Sequence, residues 1–206
     1  MTDEDVFRTL ADRGETRFEI RGSTFIGHAT PVDSREGAES FVDAIAEEYD
    51  DATHNVPAYR VRVDSGRSGH LLREYQSDDG EPTGSSGKPA LNVLQQRDLE
   101  NVAVVVTRYY GGTNLGVGGL ARAYSRAVKE AIEDADVVER RPHERFVVAV
   151  EYDDSGTVRG ILESSDVDFD AEYETAVRFT VSAPVDVAPG VRDHIRSATS
   201  GRATIE

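Results

Sequence analysis

Apolar positions fall into short runs along the chain, and the period of each run predicts an element. Val102 to Val106 is an apolar run of β-branched residues broken only by Ala103, the length and content of a buried strand. From Leu120 the period turns helical: Leu120, Tyr124, Ala127, Ala131 and Ala135 share one face, while Arg122, Arg126, Lys129 and Glu133 share another. Between strand and helix lie Gly111, Gly112, Gly116, Gly118 and Gly119, where the backbone can turn tightly or approach a partner closely.

Upstream, residues 1–15 read as a short amphipathic helical start. Arg17 to Gly22 and Thr24 to Thr30 read as strands joined by a Gly-Ser turn. Ser34 is placed to cap a helix running to about Tyr49, with Ala38, Phe41, Val42, Ile45 and Ala46 as its apolar face. Thr53 to Val63 reads as a strand, and Pro57 within it suggests an edge or a bulge. Leu71 to Gln76 is a weaker strand. Lys88-Pro89 then opens a helix over Ala90 to Gln96, with proline where a first turn tolerates it.

Beyond residue 139 the pattern changes. Arg140-Arg141-Pro142-His143 reads as a linker. Strands follow at 146–152, 167–173, 176–182 and 203–205, with helices at 156–163 and 189–197. That βαββαβ order is ferredoxin-like. The expected fold class is α+β in two domains, residues 1–139 and 144–206, separated by the linker 140–143.

Composition narrows the chemistry. The chain has no cysteine, so disulfides and thiolate nucleophiles or metal ligands are excluded. The acidic start MTDEDVFRTL does not resemble a signal peptide, and nowhere are there 18 consecutive apolar residues. A cytoplasmic protein is expected. The net charge is −16, and only Lys88 and Lys129 among the 23 basic residues are lysines. Excess acid with almost no lysine points to a high-salt cytoplasm, where global charge serves solubility and local charge is the better guide to partners.

Locally the charge reverses. Residues 101–129 contain no Asp or Glu but carry Arg108, Arg122, Arg126 and Lys129. Residues 82–97, with Lys88, and 52–63, with Arg60 and Arg62, are also free of acids. A glycine loop feeding a helix start, with cations on the exposed stripe, is a candidate anion site. Tyr109 and Tyr110 offer one ring for base stacking. Turn residues fill 77–89, SDDGEPTGSSGKP, where Asp78, Asp79 and Glu81 are candidate magnesium ligands and His54 a candidate acid–base group. The ordinary alternatives are a solvated acidic turn and a structural histidine. Gly84 to Lys88 fails as a P-loop, because Pro82 stands at the first glycine and Pro89 after the lysine. Gly116 to Ala121 matches G-x-G-x-x-A, but a long loop separates it from its strand, so a dinucleotide site is not expected.

The stretches DDGEPTGSSGKP (78–89) and VTRYYGGTNLGVGGLARAY (106–124) together resemble the signature of the IMPACT/YigZ family, supported by GSTFIGHA (22–29) and ATHNVPAYR (52–60). The resemblance covers about residues 15–136, and the tail is similar to the small C-terminal domain of bacterial YigZ-like members. Ser85-Ser86 replaces the usual Thr-Ala, and Tyr110 the usual Phe. The resemblance implies an N-terminal domain like domain IV of elongation factor G, a ribosomal-protein-type β-α-β fold, followed by a domain like its domain V. Eukaryotic members of the family regulate translation by competing for an activator of an initiation-factor kinase. The family brings no established catalytic residue and no cofactor, and with the composition it points to a halophilic archaeon.

The expectation is therefore a non-enzymatic, translation-associated binding protein whose partner is RNA, the ribosome or a ribosome-bound protein. Lys88, Arg108, Arg122, Arg126 and Arg60 are its candidate phosphate contacts, with Tyr109 and the five glycines of 111–119 allowing close approach. The rival is a magnesium-dependent enzyme acting on a nucleotide or another phosphorylated small molecule, using Asp78, Asp79, Glu81 and His54.

Overall fold

A computed structural model of the chain describes residues 6–64 and 70–206. The chain is α+β and forms two compact units, one of Phe7–Glu139 and one containing Arg140–Glu206. In the N-terminal unit β2 (Gly14–Ile20), β3 (Ser23–Pro31), β4 (His54–Asp64), β5 (His70–Gln76) and β6 (Val102–Tyr109) build an antiparallel sheet in the order β2-β3-β6-β4-β5. The central strand β6 is covered on both faces. Val102, Val104 and Val106 pack under α2 (Gly87–Gln96) and α3 (Val117–Asp134), and Ala103 and Val105 pack under α1 (Arg35–Glu48). A strand buried on both faces has no polar alternation, which is why it reads as one apolar run.

The predicted N-terminal helix is instead a strand. β1 (Phe7–Leu10) pairs with β7 (Val137–Arg140), Leu10 is fully buried, and Thr9 Oγ1 donates to the Asn101 carbonyl. Pairing and burial override the local pattern here; residues 1–5 of that prediction lie outside the described residues. The first hairpin turns at Arg21-Gly22, with φ of +48° and +81°, and Ser23 already belongs to β3. Two left-handed residues match the twist of a tight hairpin.

Pro57 does not mark an edge, because β4 lies between β6 and β5. Its carbonyl accepts from the Ser77 N–H on the β5 side, where that strand ends, so its missing N–H also falls outside the ladder to β6. Ser34 caps α1 as predicted, its side chain accepting from the Gly37 N–H at 3.0 Å.

The second unit follows the βαββαβ order: β8 (His143–Val150), α4 (Tyr152–Ser164), β9 (Asp168–Tyr173), β10 (Val177–Pro184), α5 (Ala188–Ala198) and β11 (Thr204–Ile205). The sheet order β11-β8-β10-β9 is that of a ferredoxin-like fold, and Phe146, Val148, Phe179, Val181, Leu162 and Ile195 contribute to its core. Of the predicted linker 140–143, Arg140 closes β7 and His143 opens β8, so only Arg141 and Pro142 stand between elements. Among the described residues no helix is long and apolar enough to cross a membrane.

Candidate binding cleft and basic groove

Both glycine-rich loops reach one cleft of about 490 Å³ at the end of β6 and the start of α3. Gly80, Glu81 and Pro82 come from the first loop, and Tyr110, Asn114 and Gly116 from the second. His54 and Arg108 also line it.

Asp78 organises the first loop. Its Oδ1 accepts from the Ser86 and Gly87 N–H groups at 3.1 and 2.9 Å and from Ser86 Oγ at 2.7 Å; Oδ2 accepts from the Gly84 N–H at 2.7 Å. The carboxylate thus closes the N-terminus of α2, where the Ser86 side chain makes no cap of its own. Burial alone would raise its pKa, but these donors hold it below the usual carboxylate range. Asp79 ties the loop to β4: Oδ2 accepts from the Asn55 N–H at 2.6 Å, and its carbonyl lies 2.6 Å from His54 Nδ1.

Glu81 is buried. Arg108 Nη1 donates to its Oε1 at 2.5 Å and Tyr124 Oη donates to the same oxygen at 2.8 Å, while Oε2 lies 3.9 Å from His54 Nε2. Arg108 Nη2 also donates to Ser23 Oγ, and its guanidinium faces the rings of Phe25 and Tyr110. Burial, then the Glu81 carboxylate, push the Tyr124 phenol far above its ordinary range. The three carboxylates are therefore gathered into one loop but turned toward three sets of internal donors. Among the described residues no three His, Asp or Glu side chains are grouped to hold a metal ion. Their arrangement does not fit the magnesium site considered from the sequence.

The predicted phosphate contacts separate into two classes. Arg108 is 4% exposed and committed to Glu81; Arg60 is 7% exposed, paired with Glu74 and donating to the Leu99 carbonyl. Neither is a surface cation, because strand alternation places both side chains on the sheet face that α2 and α3 cover. Tyr109 falls on the opposite face from the cleft and donates to Asp51; Tyr110 is the exposed ring. Arg122, Arg126 and Lys129 stand on the open face of α3 and line a shallow groove of about 590 Å³. Arg126 pairs with Glu130 at 2.7 Å and lies over Phe18, whereas Arg122, Lys129 and the exposed Lys88 make no ion pair among the described residues.

The glycines divide likewise. Gly111 is packed backbone to backbone: a Cβ there would lie 1.9 Å from the Gly22 carbonyl carbon. Gly116, at φ +71°, is the N-cap of α3, and neither a capping side chain nor a first-turn acid accompanies it. Gly112 faces open space, and Gly118 and Gly119 form the first turn of α3. Sequence reasoning missed Ser23 and the Tyr124 hydroxyl. Tyr124 lies in a helical apolar stripe, and nothing in that stripe marks its oxygen as a partner for Glu81.

Residues 21–132, which carry both loops, match the description "Impact N-terminal domain". The chain belongs to the IMPACT family. Residues 148–202 match "Domain of unknown function (DUF1949)", so both units of this IMPACT family member have counterparts elsewhere. It is 33% identical to the IMPACT family member YvyE of Bacillus subtilis, over 96% of this chain and 89% of that protein. The IMPACT family member YigZ of Escherichia coli is 32% identical over 81% of this chain and 80% of its own length. A crystal structure described as a hypothetical protein matches with a TM-score of 0.69 and 28% identity, covering 98% of this chain and 96% of that one.

Proposed function

We propose that this IMPACT family member is a non-enzymatic binding protein associated with translation, contacting RNA, the ribosome or a ribosome-bound partner through α3 and the loop before it. The observation carrying this reading is that Arg122 and Lys129, which make no ion pair among the described residues, stand beside Arg126 in one open groove of a chain whose net charge is −16. Lys88, exposed in the first turn of α2, adds a further cation. The family resemblance supplies the connection with translation. In molar salt such cations are screened, so stacking and hydrogen bonds must carry much of the affinity.

The meeting of both loops in one cleft favours a second reading, in which a phosphorylated small molecule binds there. The inward commitment of Asp78, Asp79 and Glu81 counts against its metal-dependent form.

Co-sedimentation with ribosomal subunits in molar potassium chloride tests the first reading. Wild type is expected to pellet, and folded Arg122→Glu and Lys88→Glu variants to stay in the supernatant. Wild type remaining in the supernatant would remove the ribosome reading. Nucleotides and phosphorylated metabolites with magnesium would then be the ligands to screen.

A further inference from the structure

We infer that the cleft receives one unstacked base of a single-stranded RNA whose backbone runs onward along α3. This inference rests on the binding role proposed above and names the form of nucleic acid that this surface takes.

Three observations meet here. First, the cleft mouth is apolar and aromatic: Tyr110 is 45% exposed and Val117 58% exposed, with Pro82 and Leu115 beside them. Two large exposed apolar side chains flanking one concave site mark a place that something covers. The Tyr110 ring is held in position, since the Arg108 guanidinium lies over it at 5.3 Å from the ring centre and its hydroxyl donates to Asn114 at 3.0 Å. A fixed, half-exposed ring is a stacking platform for a planar base.

Second, the polar floor is compensated within the protein. Glu81 is neutralised by Arg108 and bonded by Tyr124, so the cleft does not present a bare carboxylate to an anionic ligand.

Third, cations stand farther along the helix that borders the cleft. Arg122 folds back over the first turn of α3, where a Cβ placed on Gly118 would sit 3.5 Å from its Nη1. The same side chain lines the groove that continues to Arg126 and Lys129, where the two lining carboxylates are already paired, Glu130 with Arg126 and Glu133 with Arg97. From Val117 to Lys129 the helix rises about 18 Å, enough for a short run of nucleotides. Val117 and Leu120 of the cleft and Ala121 and Arg122 of the groove are neighbours on α3, so the two concavities follow one another along the helix, an order complementary to a base followed by phosphates. In a duplex the base is paired and stacked, and it would have to leave the helix to enter.

Fluorescence anisotropy with a labelled RNA decamer tests this, comparing the single strand, the same strand annealed to its complement, and inorganic polyphosphate as a base-free polyanion. Wild type is expected to bind the single strand at least tenfold more tightly than the other two. Tyr110→Ala is expected to weaken single-strand binding roughly tenfold, while Tyr110→Phe keeps it. Arg122→Ala is expected to lessen the slope of log K against log salt by about 0.7. Duplex or polyphosphate binding as tightly as the single strand would overturn the inference, as would a folded Tyr110→Ala variant with unchanged affinity. If wild type pellets with ribosomal subunits yet shows no single-strand preference, the base-in-cleft inference fails and the binding role stands. If it neither pellets nor binds the decamer, both fail.

Discussion

Arg108 and Glu81 show how a residue's chemistry depends on where the strand points it. In the sequence Arg108 belongs to an acid-free basic stretch; in the fold it is the buried counter-ion of Glu81. A buried pair gains little over a well-packed apolar one, but losing one member leaves an uncompensated charge. Glu81→Gln is therefore expected to destabilise the N-terminal unit by about 3 kcal/mol, measured by urea unfolding. Adding Arg108→Met to that variant is expected to recover part of the loss, because the stranded guanidinium is removed. Equal or greater instability of the double variant would argue that Arg108 contributes mainly by packing on Phe25 and Tyr110. Strand alternation alone says that only one of Tyr109 and Tyr110 can reach the cleft. Which one follows from the pairing of β6 with β3 and β4, and that register is not written in the local sequence.

Elements with strong periodicity were legible: the apolar run of β6 and the stripe of α3 both lie where their patterns put them. β1 was not, because its four residues are fixed by partners more than 90 positions away, such as the Asn101 carbonyl bonded to Thr9. Pro57 was misread because a sequence shows that an N–H is missing but not which side of the strand has lost it. The loop of residues 77–89 read as turn chemistry and as a candidate metal site; Asp78 and Asp79 instead hold backbone N–H groups, and Glu81 pairs with Arg108 and Tyr124. Asp78 does the work of a helix cap from outside the helix, accepting from three N–H groups and a hydroxyl. Asp78→Ala is expected to cost about 1 to 2 kcal/mol and to raise amide exchange at Gly84, Ser86 and Gly87 more than in α3. Uniform exchange across both helices would place the effect elsewhere.

Across the whole molecule, two compact units with cores of their own mean that stability is not one number. His28 belongs to the N-terminal unit, buried on β3 beside the Tyr49 ring, with Glu15 as its nearest carboxylate at 3.8 Å. Burial lowers its pKa below the ordinary 6.5, outweighing the opposing pull of Glu15 and Glu48. The unfolded chain thus binds this proton more readily than the folded one. The contribution is complete above about pH 6.5 and is lost as pH falls toward the depressed folded value. Urea unfolding of the N-terminal unit is expected to need less denaturant at pH 5 than at pH 7, and His28→Gln to flatten that difference. An unchanged slope in the variant would assign the acid sensitivity to the carboxylates.

The bonds that build the cleft and its loop differ greatly in reach along the chain. Asp78 closes on Ser86 and Gly87 across 8 and 9 residues, whereas Arg108 meets Glu81 across 27, Tyr124 meets Glu81 across 43, and Arg108 meets Ser23 across 85. Short closures form early and long ones late, since each long closure must wait for the chain between to be ordered. During synthesis the Asp78 knot can tie as soon as its own segment emerges. The cleft needs Tyr124 and the helix that carries it, so the contacts that finish the cleft wait for a later segment than those that close the loop.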